Sequence, residues 1–256
     1  MKNRIAAIAA TFAALAFGQA AEAGQINLVT NGNFDQSTYA NNNQFGSNWG
    51  GQGVTGWTGG TGYQLFFQSG QYTTSANSQY DSGYNTGKEM FYTLPNPGIA
   101  GLGNVGNGNV VGLDGDPTVG NGGSISQTIT GLTVGNTYLL TFDWATGQLQ
   151  SRSGNTTDQV LATLGNQSFL TAVVADNSGS STPWLQQTFL YTATSATETL
   201  TFLAEGSPVG LPPMVALDGI SLVSAPEPSS VALLAGGLGL LALAYRRRRA
   251  AERVNV

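Results

Sequence analysis

Carboxylates are the side chains in this sequence with the most accessible acid–base chemistry. The chain has 256 residues, 14 of them Asp or Glu, and contains neither histidine nor cysteine. That composition rules out a Ser-His-Asp triad, a cysteine nucleophile, a disulfide framework, and zinc or haem sites built on imidazole or thiolate. Two pairs, Asp114 with Asp116 and Asp143 with Asp158, could in principle hydrolyse a glycosidic bond without histidine. Against that, Asp114 and Asp116 sit in a Gly-Pro turn, where an Asx-type turn explains neighbouring acids more simply than catalysis or a metal. Asp143 alternates with strand aromatics, and no set of nucleophile, base and stabiliser emerges, so a non-enzymatic protein is expected.

A second chemistry lies in aromatic rings and amides. The segment 35–108 mixes Gly, Asn, Gln, Ser and Tyr with a dozen aromatic residues. Ring faces pack on the apolar faces of sugars, and amides both donate to and accept from hydroxyls. Trp49, Tyr63, Tyr72, Tyr80 and Tyr84 are the candidates for an exposed glycan-binding platform. The competing reading is that these rings only cover the edge of the fold. Disordered tracts are poor in aromatics, so long ordered loops with a few short strands are expected here.

Those residues must be positioned by strands. Tyr138, Leu140, Phe142 and Trp144 alternate with Leu139, Thr141 and Asp143, a period of two. The same rhythm recurs through 185–191 and 200–204, and further strands are expected at 26–30, 109–113, 124–130, 158–164, 168–174 and 214–223. Turn formers such as Gly135-Asn136 and Gly165-Asn166 separate them. No helical stripe interrupts the series, so the expected fold class is all-β, a two-sheet jelly-roll sandwich. One strand breaks its own alternation. Val215 and Leu217 share one parity, Ile220 and Leu222 the other, which requires a bulge near Asp218 and Gly219.

The two ends read as addresses. Residues 1–23 form a signal peptide, with Lys2 and Arg4, an apolar run from Ile5 to Phe17, and Ala21-Glu22-Ala23 for cleavage. Near the other end, Pro226-Glu227-Pro228 precedes an apolar stretch from Ser229 to Tyr245 and then Arg246, Arg247, Arg248 and Arg249. As a helix that stretch reaches about 25 Å, just enough for a single tight crossing of a core roughly 30 Å thick. The arginines hold its end in the cytoplasm, with 250–256 as a short cytoplasmic tail, and place residues 24–224 on the far side as the ectodomain.

Within residues 24–225 the cations are Lys88 and Arg152 against eleven acids, so the net charge is 2 − 11 = −9, compared with −5 for the whole chain. That balance argues against nucleic acid, whose phosphates require a basic footprint. It also disfavours direct binding to anionic lipid headgroups.

The C-terminal order of Pro-Glu-Pro, short apolar helix and arginine cluster resembles the PEP-CTERM sorting signal of Gram-negative bacteria that make exopolysaccharide. The resemblance implies an exosortase partner that cleaves near Pro226 to Pro228. It further implies passage through the inner membrane as a transient single-pass intermediate, with the ectodomain then released or re-anchored at the cell surface or in the extracellular matrix. The tail beyond the arginines is longer than in many members.

The ectodomain in turn resembles the galactose-binding-like, carbohydrate-binding-module-type sandwiches of choice-of-anchor proteins. Asn27 to Asp35 is similar to their opening N-L-x-x-N-G-x-F-E, and Gly56-Trp57 to their G-W. Val111 to Gly115 with Ser124 to Ile129, Tyr138 to Trp144, and Val215 to Leu222 match further motifs. The resemblance makes Trp57 a core residue. It also implies a structural calcium held by Asp218, with Asp35 as side-chain partner and Asn33 as a weaker one. The competing reading is that Asp218 caps a turn and Asp35 lies on the surface. Together these features point to an exported, non-enzymatic protein that binds or embeds in exopolysaccharide. The alternatives are a structural biofilm or surface-coat protein without sugar affinity and, as a minor one, a histidine-free glycoside hydrolase.

Overall fold

In the computed structural model the described residues are 25–39, 43–45, 53–69, 77–78, 108–117, 122–148, 152–211 and 213–225. The expected signal peptide, the C-terminal apolar stretch, the arginine cluster and the expected tail lie outside them. Every regular element among the described residues is a strand.

The chain forms the expected two-sheet sandwich. The larger sheet contains β1 (Asn43–Phe45), β3 (Gln64–Phe67), β4 (Asn77–Ser78), β5 (Val110–Asp114), β7 (Thr137–Gln148), β11 (Leu185–Thr192) and β13 (Pro213–Ser224), in the order β11-β7-β13-β5-β3-β1-β4. The smaller contains β2 (Thr58–Gly59), β6 (Ser124–Thr130), β8 (Thr156–Leu164), β10 (Val174–Asp176) and β12 (Thr197–Ser207), in the order β10-β8-β12-β6-β2, with β9 (Gln167–Leu170) also paired to β8. Pairing is antiparallel except between β1 and β4. From β5 onward the chain crosses between sheets at nearly every connection, which is the jelly-roll habit.

Period-two patterning explains the layers. Along β8, Thr156, Asp158, Val160, Ala162 and Leu164 are buried, while the residues between them are half-exposed. A line of rings then ties the layers together. Phe34 lies 5.4 Å from Trp57, Trp57 lies 6.2 Å from Phe202, Phe202 meets Phe142 edge-on at 4.9 Å, and Phe142 leads on to Phe189 and Phe169. Such pairs add about 0.5–1.5 kcal/mol each beyond the area they bury. Trp57 is 1% exposed, a core residue as the resemblance implies.

Two strand expectations need correction. Residues 26–30 are not a strand, because Asn27 uses its side-chain oxygen where a ladder would use backbone. Its Oδ1 accepts from Val29 N at 3.0 Å and Leu222 N at 2.9 Å, leaving one backbone bond, Leu28 N to Leu222 O. The expected strand at 168–174 is divided between β9 and β10. Thr171 intervenes, its hydroxyl accepting from Val160 N and so taking a place in the ladder of β8.

The bulge at Asp218 is present. β13 pairs with β7 up to Asp218↔Asp143 and resumes at Ser221↔Thr141. Gly219 supplies the left-handed turn this needs, with φ of 62°. The loop 31–36 docks on the bulge, where Ile220 N donates to Gly32 O at 2.9 Å. There is no room for a side chain at Gly32, since a Cβ would overlap the Ile220 carbonyl oxygen. Gly32→Ala is therefore expected to destabilise the protein by about 3 kcal/mol, measured by chemical denaturation. A loss below about 0.5 kcal/mol would show that the loop can retreat freely from the bulge.

Candidate functional site

Candidate residues fall at two places, the bulge and one end of the sandwich. At the bulge, Asn31 and Phe34 both adopt left-handed backbone, with φ of 53° and 56°. For a buried phenylalanine this is an uncommon conformation that persists only when surrounding contacts fix it. Here Asn31 bonds Gln36 N, Gln36 O and Thr55 O, and Trp57 Nε1 donates to Asn31 O at 3.0 Å.

This loop sets Asn33 beside Asp35. The Asn33 amide donates to Asp35 Oδ2 at 2.6 Å, and Asp35 Oδ1 accepts from Asn109 N at 3.0 Å, immediately before β5. Asp35 is exposed. Asp218 is 1% exposed, and its Oδ1 accepts from Gly219 N at 2.7 Å. The structure thus brings Asn33 to Asp35 and seats their loop on the bulge that carries Asp218.

Sequence reasoning missed Asp218's neighbour Asp143. The two are register partners, so their side chains leave the same face of the larger sheet, opposite Phe142, Trp144 and Leu217. That outer face is itself buried at Leu65, Phe67, Val110, Ala145, Met214 and Ala216. Burial pushes the Asp143 carboxyl up to about 6, against the opposing pull of Gln186, and Asp143 Oδ1 has no hydrogen-bond partner.

The second place is the end where β5, β7 and β12 finish and β8 and β13 begin. Asp114 and Asp116 form the Asx turn expected of them, with Asp116 N donating to Asp114 Oδ1 at 2.8 Å, while Asp116 Oδ2 accepts from Gly210 N at 2.6 Å. Burial pushes Asp114 up to about 7. The Asp116 N–H pulls it down, the Asp116 charge raises it again, and Arg152 lowers it. Tyr63, the one candidate glycan residue among the described residues, is half-buried at this end, its carbonyl accepting from Asp114 N. Trp49, Tyr72, Tyr80 and Tyr84 lie outside the described residues.

The carboxylate pair Asp143 and Asp158 is not assembled. Asp143 faces away from the core on the larger sheet, whereas Asp158 shares the inward parity of Val160 and Ala162 on the smaller one. Asp158 instead feels the charge of Asp176, on the neighbouring strand. A charged residue at a core-parity position was the readable signal for it. Among the described residues, no three carboxylates converge tightly enough to form a metal cage by themselves.

Comparison with protein families identifies the segment after β13. Residues 224–249 match the PEP-CTERM protein-sorting motif. The chain carries a PEP-CTERM sorting signal. Pro226, Glu227, Pro228 and Arg246 to Arg249 fall within the matched span. The signal marks an exported protein that crosses the membrane and is sorted to the cell surface. Residues 110–212 match a protein family of unknown function, DUF642, covering the chain from β5 to just before β13.

No curated protein matches this chain significantly. Among solved structures it is similar to a CBM4 structure, at 16% identity over 77% of this chain and 99% of that one, with a TM-score of 0.35. It is also similar to the CBM22-1-GH10 modules of Clostridium thermocellum xylanase 10B, complexed with xylohexaose, at 11% identity over 75% and 30%, TM-score 0.32. The N-terminal cellulose-binding domain of Cellulomonas fimi β-1,4-glucanase C matches at 13% identity over 78% and 98%, TM-score 0.30. At such scores the ligands of those proteins do not transfer to this chain.

Proposed function

We propose that this is an exosortase-sorted, non-enzymatic surface protein of a Gram-negative bacterium that binds or embeds in exopolysaccharide. The observation that carries the reading is the sorting motif placed directly after β13, so that a folded sandwich is delivered with a separable tail. The surface chemistry supports the ligand class, since 9% charged residues leave amides, hydroxyls and aromatics to supply polarity. The reading includes a structural calcium at the bulge. Asp218 and Asp35, with Asn33 beside it, offer the oxygen ligands such a hard ion takes.

Two measurements test it on the full chain in its own host. Mass spectrometry of the surface protein is expected to find a C-terminus near Pro226 to Pro228, and Glu227→Ala is expected to leave a membrane-held form that retains Arg246 to Arg249. An intact terminus in the wild type would sink the processing step. The processed protein is expected to be retained on the host's purified exopolysaccharide. Free passage over that polymer would favour a coat protein without sugar affinity.

A further inference from the structure

The end of the sandwich holds a cluster of acids whose environment is incomplete. Asp158 is fully buried, and neither carboxylate oxygen makes a hydrogen bond of good geometry, although the Thr156 hydroxyl acts on it. Asp176, on the strand paired with β8, is 5% exposed. Its Oδ1 accepts from the Ser180 hydroxyl, but its Oδ2 is buried without a partner. Asp114 and Asp116 close the cluster from the larger sheet, 6% and 3% exposed.

A buried carboxylate without partners is costly unless it takes up a proton or meets a cation. Arg152 acts on Asp114, yet the charges felt by Asp158 are those of Asp176 and Asp114, both acidic, with the Thr156 hydroxyl opposing them. A cavity of about 200 Å³ lies at this end on the opposite, outer face of the smaller sheet, where the side chains of Gln159 and Glu205 line it. Glu205, held by the Gln159 amide at 2.7 Å, places a further acid on that outer face. Partnerless buried oxygens on two adjacent strands thus coincide with a third acid, Asp114, acting on the same point.

We propose that a calcium-type divalent cation binds at this end of the sandwich on the carboxylates of Asp158 and Asp176, with Asp114 adding negative charge behind them. Two carboxylates leave the rest of a calcium shell to backbone carbonyls and water, an arrangement this ion accepts and magnesium, with its stricter octahedron, accepts less readily. Without histidine or cysteine, the chain offers nothing to favour softer metals. The ion would tie β8 to β10, adjacent strands of the smaller sheet, and offset the negative charge that Asp114 brings from the end of β5. This site is separate from the bulge, where Asp218 sits on the outer face of the other sheet.

Calcium titration calorimetry and thermal unfolding of the exported protein, stripped with chelator, test this. The wild type is expected to bind calcium and to gain several degrees in Tm on its addition, with magnesium at least tenfold weaker. Asp158→Asn and Asp176→Asn are each expected to bind one equivalent fewer than wild type and to lose most of the Tm gain. Asp218→Asn is expected to retain the equivalent that those variants lose. An unchanged stoichiometry and Tm response in Asp158→Asn would overturn the proposal, as would a wild type that binds no calcium. Should Asp158→Asn not fold, Asp176→Asn and the wild-type titration decide by the same criteria.

Discussion

Trp57→Ala is expected to lower the unfolding free energy by about 4 kcal/mol, near the middle of the range for deleting a buried large aromatic. The size follows from where the ring sits. It touches Phe34 of the opening loop on one side and Phe202 of β12 on the other, and its Nε1 holds the carbonyl of Asn31. Truncation therefore opens a cavity and removes the bond that keeps Asn31 and Phe34 in their left-handed conformations. Trp57→Phe separates the two effects. It keeps a ring but loses the indole N–H, leaving a carbonyl without its donor, at a cost of about 1–2 kcal/mol plus part of the lost volume. Urea titrations of both variants measure the difference. If alanine and phenylalanine destabilise equally, the hydrogen bond rather than the packing governs the loop.

The same loop shows what was legible in the sequence. Alternation in 138–144 and 185–191 identified β7 and β11, because alternate residues face the core while Leu139 and Thr141 of β7 and the intervening residues of β11 are partly or fully exposed. The parity break between Leu217 and Ile220 located the bulge before any pairing was known, since only an inserted residue can change the face. Residues 26–30 misled for the opposite reason. Their apolar pattern is strand-like, but Asn27 has a side chain short enough to imitate the ladder, and that local competition is invisible to periodicity.

The acids divide along similar lines. Asp114 and Asp116 were readable as an Asx turn because the interaction is local. Asp158 and Asp176 were not readable as a pair, since their proximity comes from the β8–β10 register across an intervening strand and loop. Asp143 against Asp218 is the same kind of case, a meeting created by the pairing of β7 with β13. Spacing along the chain carries no trace of either.

That acidic end has a consequence for stability that runs against habit. In chelated, metal-free protein, Tm is expected to fall as pH rises from about 4 to about 7. Asp114 titrates near 3.9 when unfolded but is pushed up to about 7 by burial when folded. Below the lower value both states are protonated and the group contributes nothing. Between the two values the folded state binds more protons, so stability declines with pH and levels off above the folded value. Three pH units correspond to a loss on the order of 4 kcal/mol from this group. Asp143, pushed up to about 6, acts with the same sign, and Asp158, raised by burial and by Asp176 and Asp114, reinforces it. Asp114→Asn removes the titrating group while retaining an oxygen acceptor for Asp116 N, so its profile should be much flatter across this interval and its Tm higher at pH 7.5. A wild-type Tm that climbs steadily from pH 4 to 7 would mean that these carboxyls are ionised and satisfied in the folded protein. The usual acidic denaturation by paired carboxylates would then apply. For the metal-free protein, however, the partnerless oxygens of Asp158 make the opposite slope the physical expectation.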